Sequence, residues 1–269
     1  MITIFSSPRG MNGLFRIIQL NAFNNWKSLD SGVEIMIFGN EEGVKEICEE
    51  YGFVHIPAVP LNKEGLPFVK DLFKIANKLA RNNILMYSNA DILFEKNFLN
   101  VVEFLRKEKT SFLAVGQRYD VNIDSSVLFN NDWERDLKIK AILHPPTAKD
   151  YFIFTKDYFT KSFFRDFVIA RPGWDDFFVH NSIMENKTII DLSRVVDVFH
   201  QNHHRVINLK KPTDFSSKNN LRLLKRPRRM FISTTSKVPY FLDQLNGHFV
   251  LRRRFIWFSI GRLIKLFGF

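Results

Sequence analysis

The first ninety residues alternate between short apolar runs and longer amphipathic segments. Short runs rich in β-branched and aromatic residues predict strands, and apolar residues three or four positions apart predict helices. The predicted strands are residues 3–6, 33–38, 53–56 and 84–87, and the helices between them are residues 13–26, 41–51 and 67–80. This alternation favours a parallel sheet with right-handed crossovers. The sequence therefore predicts an α/β fold, a three-layer αβα sandwich whose central sheet is mixed but mainly parallel.

The second part of the chain has a less regular pattern. Further strands are predicted at residues 113–116, 150–154 and 195–200, and helices at 98–107 and 177–184. The polar residues between these elements predict loops and short helices. A parallel first half followed by a mixed second half is the expected organisation.

The composition limits where such a chain can work. Hydrophobic residues make up 45% of the 269 positions, which is ample for a core, and 29 of them are Phe. The single Cys48 excludes an internal disulfide and fits a reducing compartment; its helical surroundings predict a packing role. We expect neither a signal peptide nor a membrane-spanning run, and therefore a cytoplasmic protein.

The positive charge is concentrated at the C-terminal end. Residues 1–204 carry 24 Lys/Arg and 26 Asp/Glu, a net charge of −2, whereas residues 205–269 carry 15 and 2, a net charge of +13. This asymmetry predicts a main domain over 1–205 and a basic extension over 206–269. Residues 249–267 have helical spacing with an apolar face, so residues 221–269 predict attachment to an anionic membrane.

Two other interpretations of this extension stay open. A helix packed on the main domain with a solvated basic face would have the same pattern. Nucleic-acid binding has less support, because no nucleic-acid module can be recognised.

A carboxylate interrupts two apolar runs at residues 82–95, NNILMYSNADILFE. The first run ends at three small polar residues, and Asp91 stands before the second run. Burying a carboxylate there is costly unless a cation or hydrogen-bond donors meet it. A hard divalent cation would suit Asp91, and Asn89 can add a neutral oxygen. The alternative is a turn or helix-capping role for Asp91, since a helix is predicted at 98–107.

Three histidines follow the last predicted strand. His200, His203 and His204 lie within five residues, which raises the prospect of metal ligation. Imidazole suits Mn²⁺ better than Mg²⁺, and zinc is disfavoured because no Cys lies nearby. We favour His200, which directly ends the strand, with His203 second.

Two adjacent carboxylates begin the helix predicted around residue 177. Asp175 and Asp176 follow Trp174 and a Pro-Gly turn. The helix dipole explains one acidic residue in the first turn. A pair can also serve an acceptor site, with one carboxylate as general base and the other binding hydroxyls. The ring of Trp174 offers an apolar face on which a sugar could stack.

Taken in order, these motifs resemble the GT-A class of nucleotide-diphospho-sugar transferases, the fold of the large family 2. The matching segments are ITIFSSPRG, YSNADILF, ARPGWDDFFVHN and VVDVFHQNHH, and the resemblance covers roughly residues 1–205. The chain departs from the family pattern at Asn89, where the first Asp of the metal signature usually stands.

The resemblance implies a GT-A-like catalytic domain over 1–205 and a role for each motif. The implied donor-binding residues are Ser6, Ser7, Arg9, Asn89, Ala90, Arg118 and Asp120. The implied metal ligands are Asp91, His200 and His203, for Mn²⁺ or Mg²⁺. Asp176 is the expected catalytic base with Asp175 as the alternative, and Trp174 and Asp150 are expected to bind the acceptor. Asp91, Asp176 and His200 should then converge on one cleft.

The resulting hypothesis is a metal-dependent glycosyltransferase. It would move a sugar from a nucleotide diphosphate donor, most simply a UDP-sugar, to a glycan or lipid-linked acceptor in cell-envelope polysaccharide synthesis. It would act peripherally at the inner face of the cytoplasmic membrane. A nucleotidyltransferase is disfavoured, because SSPRGMNG lacks the Gly-rich basic signature of those enzymes. A non-catalytic glycan- or membrane-binding protein with a degenerate transferase domain is the alternative that Asn89 keeps open.

Overall fold

A computed structural model describes residues 1–203, 214–225, 231 and 233–254 of the chain. The strands of the described residues are β1 Thr3–Ser6, β2 Glu34–Phe38, β3 Val54–Ile56, β4 Ile84–Ser88, β5 Ile92–Phe94, β6 Leu113–Val115, β7 Tyr119–Val121, β8 Ile142–Leu143, β9 Tyr151–Thr155, β10 Ile189–Asp191, β11 Val198–Gln201, β12 Tyr240–Leu245 and β13 His248–Arg253. The α-helices are α1 Gly13–Leu29, α2 Val44–Tyr51, α3 Val69–Leu79, α4 Phe98–Glu108, α5 Trp133–Lys140, α6 Trp174–Met184 and α7 Phe215–Leu223.

Nine strands form the main sheet in the order β13-β12-β10-β6-β9-β4-β1-β2-β3. Strands β4, β1, β2 and β3 pair in parallel, as do β6, β10 and β12. Strand β9 runs antiparallel to both β4 and β6, and β13 runs antiparallel to β12. The sheet is therefore mixed and mainly parallel, as predicted.

Helices cover both faces of the main sheet. Neighbouring residues of β1 show the two faces: Ile4 packs in one hydrophobic cluster and Phe5 in the other. Buried residues of α1, α2 and α4 share the cluster of Ile4, whereas those of α3 and α6 share the cluster of Phe5. The predicted three-layer αβα architecture is confirmed. Cys48 is buried in the first cluster, in agreement with its predicted packing role.

A smaller sheet lies at the carboxyl end of β4. Its strand order is β5-β11-β7-β8. β11 pairs antiparallel with β5 and parallel with β7, and β8 closes the sheet antiparallel to β7. Three of these strands, β5, β7 and β8, were not predicted, because runs of two or three residues are too short to show a period.

The C-terminal region corrects one prediction. His248–Arg253 is a strand, so the helix predicted to begin at residue 249 is wrong there. Asn246 and Gly247, both with positive φ, make the tight turn of a β12–β13 hairpin, which is the strongest short hairpin signal in a sequence. Pairing of Leu242 with Leu251 buries Leu242 fully.

The hairpin extends the main sheet into the region predicted to be a separate extension. The boundary after residue 205 stays a prediction; α7, β12 and β13 all lie beyond it. The rest of the predicted basic helix, residues 255–269, lies outside the described residues, as do residues 226–230 of the basic segment. No helix among the described residues is long and apolar enough to cross a bilayer.

Candidate active site

Backbone pairing brings the predicted metal ligands together. Asp91 lies in the turn between β4 and β5. His200, on β11, pairs with Ile92 of β5, the residue that follows Asp91. The amide of Gln201 donates to the carbonyl of Asp91 at 3.1 Å, which fixes the two segments against each other. Asp91 Oδ2 consequently lies 3.5 Å from His200 Nε2 and 3.1 Å from His203 Nε2.

The Asp91–His200–His203 cluster fits a divalent cation. One carboxylate oxygen and two imidazole nitrogens lie within 4.8 Å of one another. Asp91 Oδ1 is buried and has no hydrogen-bond partner among the described residues. A buried carboxylate oxygen left in this state is costly unless something else binds it. A carboxylate with two imidazoles is a donor set that Mn²⁺ accepts.

Electrostatics in the cluster favour the charged forms. Burial opposes ionisation of Asp91, but His200 and His203 outweigh it and hold the pKa of the carboxyl well below its usual range. Burial likewise opposes protonation of His200, yet Asp91 and Asp120 raise its pKa to about 9. Asp91 and Asp120 thus stabilise a positive charge on His200.

The contacts of the Asn89 side chain do not indicate a metal ligand. Its Oδ1 accepts a hydrogen bond from the Tyr87 hydroxyl at 2.7 Å, and its Nδ2 donates to Asp150 Oδ1 at 2.9 Å. Asn89 therefore bridges the end of β4 to Asp150. The amide at this position is consistent with a metal site built from one carboxylate and two histidines.

Arg118 joins two acidic residues behind the metal-ligand cluster. Its side chain is almost fully buried, with Nη1 2.7 Å from Asp150 Oδ2 and Nε 2.9 Å from Asp120 Oδ1. Asp120 also accepts a hydrogen bond from His144 at 2.6 Å and lies 3.2 Å from His200 Nδ1. These partners, with Arg118, overcome the effect of burial and depress the pKa of Asp120.

A first pocket of about 270 Å³ opens over the cluster. It is lined by Ser7, Arg9, Asn89, Ala90, Asp91, Arg118, Asp150, His200 and His203, among others. Arg9 is exposed, and its guanidinium lies 4.8 Å from the ring of Phe15, which in turn lies 5.2 Å from the ring of His203. Arg9 is thus a cation with an exposed side chain near the proposed metal. Ser6 is buried at the end of β1 and does not line this pocket.

A second pocket adjoins the first. Its walls include Trp174, Asp175 and Lys149, and it shares Asn89, Arg118, Asp150 and Ala170 with the first pocket. Two contiguous pockets suit two substrates, one beside the metal ligands and one beside the acidic start of α6.

Asp91, Asp176 and His200 were predicted to converge on one cleft, and two of the three do so. Asp91 and His200 meet in the first pocket, but Asp176 is buried and its Oδ1 lies 2.9 Å from Lys149 Nζ. Asp175 lies 3.7 Å from the same ammonium, lines the second pocket and is the more exposed of the two carboxylates. Of the two carboxylates, Asp175, the predicted alternative, is therefore the one that lines a pocket.

Trp174 is largely covered by other aromatic rings. Its ring centroid lies 5.1 Å from that of Phe152, 5.3 Å from that of Tyr87 and 5.6 Å from that of Phe178, and only 6% of the residue is exposed. Most of the ring therefore packs against other aromatic residues, while the rest lines the second pocket. The stacking of a sugar on Trp174 stays a prediction.

Buried amides on α1 hold the cluster in place and were missed from the sequence. Asn21 donates to Gln201 Oε1 at 2.9 Å, and Gln201 Nε2 reaches the carbonyls of Ile18 and Asp91. Asn25 bonds both backbone groups of Phe94 in β5. Two Asn four residues apart on the buried side of an amphipathic helix were the available signal, since buried amides need partners.

Comparison with known proteins yields likenesses in structure alone. No protein-family profile matches the sequence, and no curated protein matches it. Glucosyl-3-phosphoglycerate synthase from Mycobacterium tuberculosis, solved with Mg²⁺ and UDP, is 11% identical over 94% of this chain and 87% of its own, with a TM-score of 0.47.

Two further solved structures are similar. A protein named for a proposed nucleotide-diphospho-sugar transferase activity, from Desulfovibrio desulfuricans G20, is 9% identical over 83% of this chain and 96% of its own, with a TM-score of 0.47. S. aureus TarS 1–349 is 15% identical over 47% of this chain, which spans only 38% of that fragment, with a TM-score of 0.35. The predicted kind of protein thus recurs among the matches, but at these scores the activity of this chain must be inferred from its own side chains.

Proposed function

We propose that this chain is a metal-dependent glycosyltransferase that uses a nucleotide diphosphate sugar, most simply a UDP-sugar. The observation that carries the proposal is the buried Oδ1 of Asp91, which has no hydrogen-bond partner among the described residues, beside two imidazole nitrogens at the carboxyl end of β4. In open α/β sheets, ligands bind at this edge.

Each wall of the cleft then has a role. Asp91, His200 and His203 would hold Mn²⁺ or Mg²⁺, which supplies charge neutralisation for the diphosphate leaving group. Arg9, with its exposed side chain in the same pocket, would pair with a phosphate oxygen. The remaining donor contacts fall to Ser7, Ala90 and the Asn89–Asp150 bridge.

The second pocket would bind the acceptor. In an inverting displacement, Asp175 takes the proton of the acceptor hydroxyl. The acceptor oxygen bonds to the anomeric carbon, and the bond from that carbon to the diphosphate breaks with its electron pair leaving on the phosphate. A general base of this kind typically contributes about 10²–10⁴-fold to the rate. A retaining course would not require this step from Asp175.

The acceptor is proposed to be a glycan or lipid-linked glycan of the cell envelope, reached from the cytoplasmic side. The support is the net charge of +13 over residues 205–269, enough for peripheral attachment to anionic lipid. Arg252 and Arg253 are both exposed and carry part of that charge on the outer strand of the sheet.

A donor panel tests the proposed activity. The full chain is incubated with individual nucleotide-sugars and Mn²⁺, and donor binding and hydrolysis are followed. We expect one donor to bind with a metal-dependent Kd and to be hydrolysed slowly. Absence of donor binding with and without metal would overturn the proposal.

A separate sedimentation assay tests membrane attachment. The β12–β13 hairpin belongs to the sheet, so the chain should be cut after Arg254 to leave that sheet intact. The intact chain is expected to sediment with phosphatidylglycerol vesicles and the shortened chain to sediment less. Equal sedimentation of both would argue against residues 255–269 as the attachment segment.

A further inference from the structure

The smaller sheet sets four polar side chains in a row across its strands. Asp91 precedes β5, His200 is on β11, Asp120 is on β7, and His144 follows β8. The strand register explains this row. His200 pairs with both Ile92 and Asp120, and Asp120 pairs with Ile142. Backbone pairing therefore brings these four residues close to one another.

The two ring nitrogens of His200 face opposite carboxylates. Nε2 lies 3.5 Å from Asp91 Oδ2, on the side of the proposed metal, and Nδ1 lies 3.2 Å from Asp120 Oδ1. The contact between His200 Nδ1 and Asp120 Oδ1 is at ion-pair distance but does not meet the geometry of a hydrogen bond. Both atoms are buried, and neither has a hydrogen-bond partner among the described residues.

Asp120 is itself held from two other sides. Its Oδ2 bonds His144 Nδ1 at 2.6 Å, and its Oδ1 lies 2.9 Å from Arg118 Nε. A carboxylate neutralised by Arg118 is a poor candidate for a direct metal ligand. It is well placed to accept the Nδ1–H of a histidine whose other nitrogen binds a metal, an arrangement that fixes the tautomer and orientation of such ligands.

We infer that Asp120 is a positioning residue for the metal ligand His200, and that His144 holds Asp120 for this task. The inference rests on the proposed metal site and goes beyond it. It replaces the donor-sugar contact predicted for Asp120 with a role that acts through His200. It also connects the two pockets, because His144 lines the second one.

Mn²⁺ binding to the full chain, without any donor, tests this role. The free Mn²⁺ signal in electron paramagnetic resonance gives a Kd for the wild type and for Asp91→Ala, His200→Ala, Asp120→Ala and His144→Ala. Asp120→Ala should weaken binding about 10- to 100-fold, as loss of such a partner typically does. His144→Ala should weaken it less. Asp124→Ala, which removes an exposed acid close in sequence, is the matched control and should leave the Kd within twofold.

A double variant separates an indirect role from a direct one. If Asp120 acts through His200, Asp120→Ala should weaken Mn²⁺ binding little further in the His200→Ala background. An equal loss in both backgrounds would overturn the inference by showing a direct or purely electrostatic role. Asp120→Asn, which keeps an acceptor oxygen, covers the case in which the alanine variant does not fold; a Kd equal to that of the wild type for every foldable Asp120 variant would also overturn it.

The same titration distinguishes failure of the metal site from failure of this role. If Asp91→Ala and His200→Ala bind Mn²⁺ as the wild type does, the proposed site is wrong and the role of Asp120 is wrong with it. If those two variants lose binding and the Asp120 variants do not, the metal site stands and only the positioning role is lost.

Discussion

Two carboxylates, one in the first pocket and one buried beneath the start of α6, have opposite surroundings. Asp91 keeps one oxygen without a hydrogen-bond partner among the described residues, whereas Asp176 lies 2.9 Å from an ammonium that is itself fully buried. That ammonium, on Lys149, also donates to the carbonyls of Thr147 and Ser233. Satisfied polar groups of this kind belong to the scaffold, while a buried oxygen left unsatisfied marks a place where a ligand is expected.

The contrast extends beyond these two residues. Eleven buried side-chain polar atoms of the described residues lack a hydrogen-bond partner, and five of them lie around the metal-ligand cluster, on Asp91, Arg118, Asp120, Asp150 and His200. Four of the five face an opposite charge at ion-pair distance. Of these five, the Asp91 oxygen alone has neither kind of partner within the described part of the chain. The comparison therefore predicts that Asp91 is essential for ligand binding and that Lys149 and Asp176 are essential for stability.

The largest effect is expected at Asp91. Asp91→Asn keeps the shape of the side chain but removes the charge that a divalent cation needs. We expect loss of Mn²⁺ binding and a fall of about 10³-fold or more in sugar transfer, because a bound metal contributes several kcal/mol to stabilising the leaving group. Donor turnover and Mn²⁺ titration check both results. Metal-dependent turnover within tenfold of the wild type would mean that the metal binds elsewhere.

Breaking the scaffold pair should cost stability instead. Lys149→Met leaves the Asp176 carboxylate buried without its cation, and removing one partner of a buried pair typically costs about 3–5 kcal/mol. Denaturant unfolding measures the change. Lys149→Met with Asp176→Leu should recover much of the loss, since replacing both charges by apolar groups is often close to neutral. A loss below about 1 kcal/mol for Lys149→Met would remove the distinction between scaffold and ligand-binding carboxylates.

The adjacent acids at the start of α6 provide a matched pair within one turn. Asp175→Asn should lower kcat about 10²-fold with little change in the unfolding midpoint, since it removes the proposed base from the more exposed position. Asp176→Asn should chiefly lower stability. Steady-state kinetics and thermal unfolding of both variants check this. The reverse outcome would restore Asp176, the residue that the family resemblance favoured, as the base.

The sequence predicts those parts of the fold that depend on local periodicity. Helices α1 to α3 are long enough to show their period, and they separate the short apolar runs of β1 to β4, so the predicted sheet follows from this alternation. The smaller sheet could not be predicted in the same way. Its strands are two to four residues long, and they are held by pairing with partners as far away as His200 is from Ile92 along the chain.

The same division applies to the site. Asp91, His200 and His203 were predicted because a carboxylate between apolar runs and a group of histidines are local signals. The neutralising role of Lys149 is not visible locally, because its partner lies 27 residues away on another element. The resemblance therefore pointed to Asp176, while the contact with Lys149 shifts the favoured base to Asp175. The helical spacing that begins at residue 249 also led to a wrong prediction, because the Asn246-Gly247 turn and the pairing with β12 make this segment a strand.

The smallest expected effect concerns a third group of acids, which are crowded but away from the cleft. Burial, followed by the nearby charges of Asp197 and Glu134, raises the pKa of Glu95 from 4.5 to about 7. The folded state thus holds this proton where the unfolded chain has lost it. The contribution of Glu95 to stability should therefore fall as the pH rises from about 4.5 to about 7 and stay low above that.

Glu95→Gln should remove this pH dependence and stabilise the protein at pH 8. The gain should be on the order of 1–2 kcal/mol, less than the shift alone implies because the side chain is partly exposed to water. Denaturant unfolding at pH 5 and pH 8 measures it, with the exposed Asp124→Asn as the control that should change neither value. Mn²⁺ affinity should not change, because Glu95 does not line the pocket over Asp91. A loss of stability at pH 8 would show that the charge of Glu95 is compensated in the fold, which would place it with Asp176 among the scaffold carboxylates.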